Sequence, residues 1–177
     1  MTIDYLPHSA ADIPARVTWL NDLEVNRWFD DYREHGTTLA KQQAWFAGYE
    51  QDQTRDFYTI RADGSPIGVV GLTHFDLKHQ QAELFIMIGD PTHRGQGIGQ
   101  QAVRYMVDYA FTELGLHRVS LHVSQHNTAA INCYAKAGFI EEGRLRDDRL
   151  SAGKYEDTLV MGILNSQSLA RETAPSV

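Results

Sequence analysis

Arg94-Gly95-Gln96-Gly97-Ile98-Gly99 stands between an apolar strand and an amphipathic helix, and this junction constrains the fold more than any other stretch. A glycine-dense turn that opens a helix leaves backbone N–H groups unpaired, and the helix dipole adds partial positive charge there. The turn is therefore a seat for an anion, phosphate above all. Gly97 and Gly99 let the backbone approach closely, and Arg94 offers a charged fork. Upstream, Ala82-Glu83-Leu84-Phe85-Ile86-Met87-Ile88 is almost continuously apolar, the pattern of a central strand buried on both faces. Downstream, Ile98, Ala102, Met106, Ala110 and Leu114 recur at helical spacing as far as Gly115, a C-terminal cap.

Two widespread phosphate motifs fit poorly. A dinucleotide fingerprint needs a third glycine where Gln100 stands, and a P-loop needs a Gly-Lys-Ser/Thr ending that is absent.

The other segments read as a mixed α/β chain. Residues 2–6 form a strand and 11–21 a helix started near Ser9. Residues 26–36 are irregular, and Thr38 caps a helix running to about residue 53. Strands at 57–61 and 67–75 join at Asp63-Gly64-Ser65-Pro66, and 81–88 is the next strand. After the helix at 97–114 come a strand at 119–123 and a short helix at 127–137 stopped by Gly138. Strands at 139–149 and 155–164 then meet across Ser151-Ala152-Gly153. Residues 1–164 make one domain, and 165–177 read as a polar, disordered tail.

Charge and cysteine usage narrow the class. A formal net charge of −7 argues against nucleic acid as partner and is compatible with cationic substrates. The single Cys133 excludes an internal disulfide and suits a reducing cytoplasm. No apolar stretch approaches a membrane span, and the first residues lack a basic signal region. His117, His122 and His126 share no strand face and have no completing ligand, so no metal site is expected.

Arg94, Gly97 and Gly99 match position for position the R/Q-x-x-G-x-G/A turn of the GNAT N-acetyltransferase superfamily. The stretch 127–139, with Asn127, Ala130, Tyr134, Gly138 and Phe139, resembles that family's N-x-x-A-x-x-x-Y-x-x-x-G-F helix. The resemblance implies a mostly antiparallel twisted sheet of six to seven strands flanked by about four helices. It implies acetyl-CoA as cosubstrate, its pyrophosphate gripped by Arg94, Gly95, Gln96, Gly97, Ile98 and Gly99. It further implies acetyl transfer to a primary amine of a polyamine, a protein N-terminus or an amino sugar, and it allows a homodimer.

Seven residues are nearly two helical turns, so Asn127 and Tyr134 share a face roughly 10 Å apart, along which a pantetheine arm can lie. Asn127 reads equally as an N-cap, and Tyr134 as a core aromatic; with the family resemblance Tyr134 becomes the acid that protonates the leaving thiolate. Glu83 shares a strand face with Phe85 and Met87. Among such neighbours desolvation would raise its pKa and suit a general base, unless it pairs with Arg118 or His74. In the family a bulge in the central strand frees an N–H for the oxyanion, here near Met87 or Ile88.

The segment before the second helix carries Glu24, Asp30, Asp31 and Glu34 beside Trp28, Phe29 and Tyr32, a composition suited to a cationic amine. Gly143-Arg144-Leu145-Arg146 and Gly153-Lys154-Tyr155-Glu156-Asp157 resemble the branch holding ribosomal-protein and spermidine acetyltransferases. Two other classes compete: a catalytically silent acetyl-CoA-binding module and a nucleotide-dependent oxidoreductase.

Overall fold

Seven strands form one sheet in the order β1-β2-β3-β4-β5-β7-β6. The computed structural model describes residues 1–29, 35–151 and 153–166. The strands are β1 (Ile3–Pro7), β2 (Asp56–Ala62), β3 (Ser65–Asp76), β4 (Gln81–Ile88), β5 (Arg118–Ser124), β6 (Ile140–Ser151) and β7 (Lys154–Leu164). The helices are α1 (Ile13–Asn21), α2 (Leu23–Asn26), α3 (Leu39–Tyr49), α4 (Ile98–Thr112) and α5 (Thr128–Ala137), with 3-10 turns at Ala10–Asp12 and Pro91–His93. Every strand pair is antiparallel except β4 with β5, whose parallel union requires the crossover helix α4.

Local chemistry explains most boundaries. The β2–β3 hairpin turns at Asp63 and Gly64, with φ of +47° and +82°, the paired left-handed residues that a two-residue turn needs. Thr38 caps α3 by accepting from Lys41 N at 3.3 Å. That helix stops at Tyr49, short of the expected residue 53. Residues 23–25, between the expected helix and the expected irregular stretch, together with Asn26 make the short α2, capped by Asp22 accepting from Glu24 N at 2.7 Å. At the other end of the chain, Asn165 continues past β7 and bonds the Leu116 and His117 carbonyls; the remainder of the expected tail, 167–177, lies outside the described residues.

Two apolar layers sandwich the sheet. On one face α4 buries Ala102, Met106 and Ala110 completely against Val70, Leu72, Val119 and Leu121, and the two alanines let helix and sheet approach closely. Each large side chain sealed there contributes about 1.5–3 kcal/mol. On the other face Trp19, Leu20 and Val25 cover Phe57, Val69 and Met87. A Cβ on Gly89 would lie 2.0 Å from the Trp19 indole, so only glycine lets α1 pack against the end of β4.

A buried polar staple ties the segment after β1, through His8 and Asp12, to β2. Asp12, 1% exposed, pairs with Arg61 and accepts from Thr59 Oγ1 at 2.9 Å. Thr59 has one proton to give, so His8 Nδ1, 2.8 Å away, is the donor to it. Burial, then the nearby Arg16 charge, pushes the His8 pKa down to about 4, so the ring sits neutral among Trp45, Phe46 and Tyr49.

Candidate active site

β4 and β5 are joined only from Gln81 to Glu83 and from Arg118 to Ser120, after which they part. A cavity of about 670 Å³ opens in the fork. Ile86, Met87 and Ile88 line it from β4, the turn at Arg94, Gly95, Gly97 and Gly99 from one end, and Asn127, Cys133 and Tyr134 from the α5 side. Val25, Trp28 and Phe29 line it from α2 and the loop that follows.

The fork also exposes backbone. Gly89 N donates to Ile67 O at 2.9 Å, so Ile88, opposite Gly68, turns its N–H and C=O away from β3, as does Ile86. Met87, between them, directs its amide at β3. This corrects the expected origin of a free N–H. The register shift between β3 and β4 lies at Thr73/Asp76, not at Met87 or Ile88, and the unpaired edge arises because β5 diverges.

At the turn, Asp90 accepts from Thr92 N at 2.9 Å and from its hydroxyl at 2.7 Å, which holds the carboxyl below its ordinary pKa. Gly97 is the N-cap of α4 with φ +82° and no side chain to cap it, so the amides of Ile98, Gly99 and Gln100 lack intrahelical acceptors. The Arg94 guanidinium is turned inward: Nε donates to Ile88 O at 3.1 Å and Nη2 to Gly89 O at 2.8 Å. The expected free fork is therefore spent on locking the turn to the end of β4. Gln96 donates to Thr92 O at 2.6 Å, away from the cavity lining, and the Ile98 side chain is buried in the core.

Tyr134 is 8% exposed, with its ring 6.0 Å from that of Phe139. Burial raises the phenol pKa, so it holds its proton, and among the described residues nothing hydrogen-bonds its oxygen. Asn127 caps α5 by accepting from Ala130 N at 3.2 Å and also lines the cavity, so its two readings are geometrically compatible. Burial also pushes the Cys133 thiol up.

Glu83 departs from expectation. Its side chain is 37% exposed, and its Oε2 lies 3.5 Å from His74 Nδ1 and 3.8 Å from His122 Nδ1. The predicted sealing among apolar neighbours fails because Glu83 ends the paired segment, where the layer over Phe85 and Met87 has run out. Arg118, the other partner considered, pairs with Glu142 instead. His122 was missed as a site residue; its meeting with Glu83 depends on the β4–β5 register, which no local pattern encodes.

On the acceptor side Trp28 lines the cavity, but the Arg27 guanidinium stands 4.7 Å over its ring, so that face already holds a cation. Asp30, Asp31, Tyr32 and Glu34 lie outside the described residues. No helix among the described residues is long and apolar enough to cross a membrane.

Residues 5–140 match the family described as the acetyltransferase (GNAT) domain. A spermidine N(1)-acetyltransferase of Vibrio cholerae is 32% identical over 86% of this chain and 90% of its own. A putative ribosomal N-acetyltransferase of Bacillus subtilis is 31% identical over 94% and 92%. Among solved structures, the Vibrio cholerae spermidine N-acetyltransferase in complex with CoA and spermine superposes with a TM-score of 0.87 at 26% identity, covering 94% of this chain and 98% of that one.

Proposed function

This chain belongs to the GNAT acetyltransferase family, and on that premise we propose that its acceptor is a polyamine, acetylated on a terminal primary amine. The chain is an acetyl-CoA-dependent N-acetyltransferase. Family membership leaves no place for the oxidoreductase reading, which also lacked its third glycine. The fork between β4 and β5 carries the mechanistic reading, because one opening gathers unpaired strand amides, a helix N-terminus and a protonated phenol.

The donor fits these residues: Gly95, Gly97 and Gly99, with the first amides of α4, suit a pyrophosphate, and the channel past Asn127 suits an extended arm. Acetyl-CoA supplies an activated acyl carbonyl on a thiol leaving group. Glu83 takes the proton of the incoming amine, so that the nitrogen lone pair can form the new C–N bond. The Ile86 and Ile88 amides, unpaired toward β5, donate to the carbonyl oxygen as it gains negative charge. The Tyr134 hydroxyl gives its proton to the sulfur as the C–S bond breaks; the acylated nitrogen sheds its second proton to solvent, the phenol regains one from solvent, and Glu83 releases the first proton there.

Several observations support a polyamine as acceptor: the net charge of −7, the part-exposed Glu83 carboxylate, and the activity for which the spermidine acetyltransferases it resembles are named. The test is CoA release with an amine panel of spermidine, spermine, a ribosomal-type N-terminal peptide and an amino sugar. Spermidine or spermine is expected to show the highest kcat/KM; preference for the peptide or the sugar overturns the assignment. A homodimer remains part of the proposal, supported by Ile140, Leu145 and Leu150 exposed along the edge strand β6. Light scattering on the purified chain measures it.

A further inference from the structure

The sheet face that carries Glu83 continues beyond the apolar layer into polar territory. Val119, Leu121 and Val123 of β5 and Leu159 and Met161 of β7 turn toward α4 and α5. Alternation therefore puts Ser120, His122 and Ser124, with Glu156 and Thr158, on the opposite face, where His122 meets Glu83. The cluster under α1–α3 reaches only β2, β3 and β4, so these residues are not part of it.

At the far end, Ser124 Oγ donates to Glu156 Oε2 at 3.4 Å, and Ser124 stands directly opposite Thr158. Ser124 is 4% and Thr158 2% exposed, and the Thr158 hydroxyl has no hydrogen-bond partner. A buried hydroxyl left unpaired costs about 1–3 kcal/mol, a cost removed when a donor arrives. Glu156 makes no ion pair among the described residues. Arg149, its cross-strand neighbour, donates to the Trp28 carbonyl at 3.4 Å, bridging β6 to the loop after α2.

We propose that Glu156, with Ser124 and Thr158, is a second ammonium subsite that selects elongated polyamines over monoamines; it rests on the polyamine reading of the active site. Glu83 is level with Ser120 and its carboxylate reaches His122, while the Glu156 carboxylate leans back to Ser124, so the two carboxylates stand about 7–13 Å apart along the strand. At ~1.2 Å of reach per single bond, the nine bonds between the terminal nitrogens of spermidine span up to about 11 Å. One terminal amine then meets Glu83 while the other ammonium donates to the Glu156 carboxylate and to the two hydroxyl oxygens. A monoamine has nothing to place there.

The test compares spermidine with propylamine in the wild type, Glu156→Gln and Ser124→Ala. Glu156→Gln is expected to raise the KM for spermidine about tenfold, the loss of one charge-assisted contact, with kcat and the KM for acetyl-CoA unchanged. Propylamine kcat/KM moves less than twofold, and Ser124→Ala gives a smaller change of the same kind. Calorimetric titration of spermidine onto the CoA-loaded proteins reads the same loss without turnover. Wild-type handling of spermidine by Glu156→Gln, or equal losses for both amines, overturns the subsite alone. Absence of any polyamine turnover by the wild type overturns the polyamine reading and the subsite with it.

Discussion

Glu83 and Ser120 are the last residues joined across β4 and β5, and the candidate cavity opens beyond them. The apex of the fork therefore carries a carboxylate with an imidazole on either side, and its open arms carry unpaired amides. This arrangement makes the proposed roles separable by experiment.

Substitutions at Gly97 distinguish strain from charge. With φ at +82°, any side chain there costs about 1–2 kcal/mol, so Gly97→Asn and Gly97→Asp both melt lower than the wild type. Saturation at ~100 times Kd raises the wild-type Tm by about 5–10 °C. Gly97→Asn is expected to keep most of that rise with acetyl-CoA, and Gly97→Asp to lose it. A full shift in the Asp variant would remove the pyrophosphate from this turn.

Tyr134→Phe keeps the ring against Phe139 and deletes only the oxygen. The melting temperature and the KM for acetyl-CoA should be unchanged, while kcat falls by roughly 10- to 1,000-fold. Undiminished kcat in steady-state CoA release would leave Tyr134 a packing residue.

Glu83→Gln should slow turnover most at pH 7 and progressively less toward pH 9 and above. A primary amine with a pKa near ~10 is mostly protonated at neutrality, and rising pH supplies the free base without help. The readout is the ratio of wild-type to variant kcat/KM across pH. A constant ratio would make Glu83 a positioning residue.

Acid stability should depend on His8, whose side chain is fully buried. Its folded pKa is about 4 against 6.5 unfolded, so between these values only the unfolded chain binds the proton. The stability tied to the neutral ring is whole above about pH 6.5 and is lost as pH falls toward about 4. At pH 5 the loss is about 2 kcal/mol. Urea unfolding of the wild type should weaken by that amount from pH 7 to 5 relative to His8→Gln, which cannot titrate. Parallel pH profiles would contradict this account.

Local pattern was enough to find most of the framework. The 81–88 strand, the helix after the glycine turn and the Asp63-Gly64 hairpin rest on alternation, helical spacing and turn chemistry, all written within a few residues. The pairing of two motifs, at 94–99 and 127–139, was likewise legible, because each keeps its own local geometry wherever the chain runs. Boundaries such as the end of α3 shifted because propensity does not mark where packing stops.

Other features depended on neighbours far along the chain. The sequence offers Arg94 as a fork for phosphate, yet it grips Ile88 and Gly89, because the turn folds back on the strand it follows. The sequence leaves Glu83 either sealed among apolar neighbours or paired with Arg118 or His74; it meets His74, and also His122, at a part-exposed apex, because the parallel register ends there. The free strand edge comes from divergence of β5 rather than a bulge, and the Ser124–Glu156 contact needs β7 laid beside β5. The sequence by itself determined which elements form and that a glycine-rich turn with unpaired amides opens a helix, since those follow from short-range sterics and hydrogen bonding. Only the tertiary structure decided which charges meet and where the sheet opens, since strand register and splay are set by the packing of whole layers.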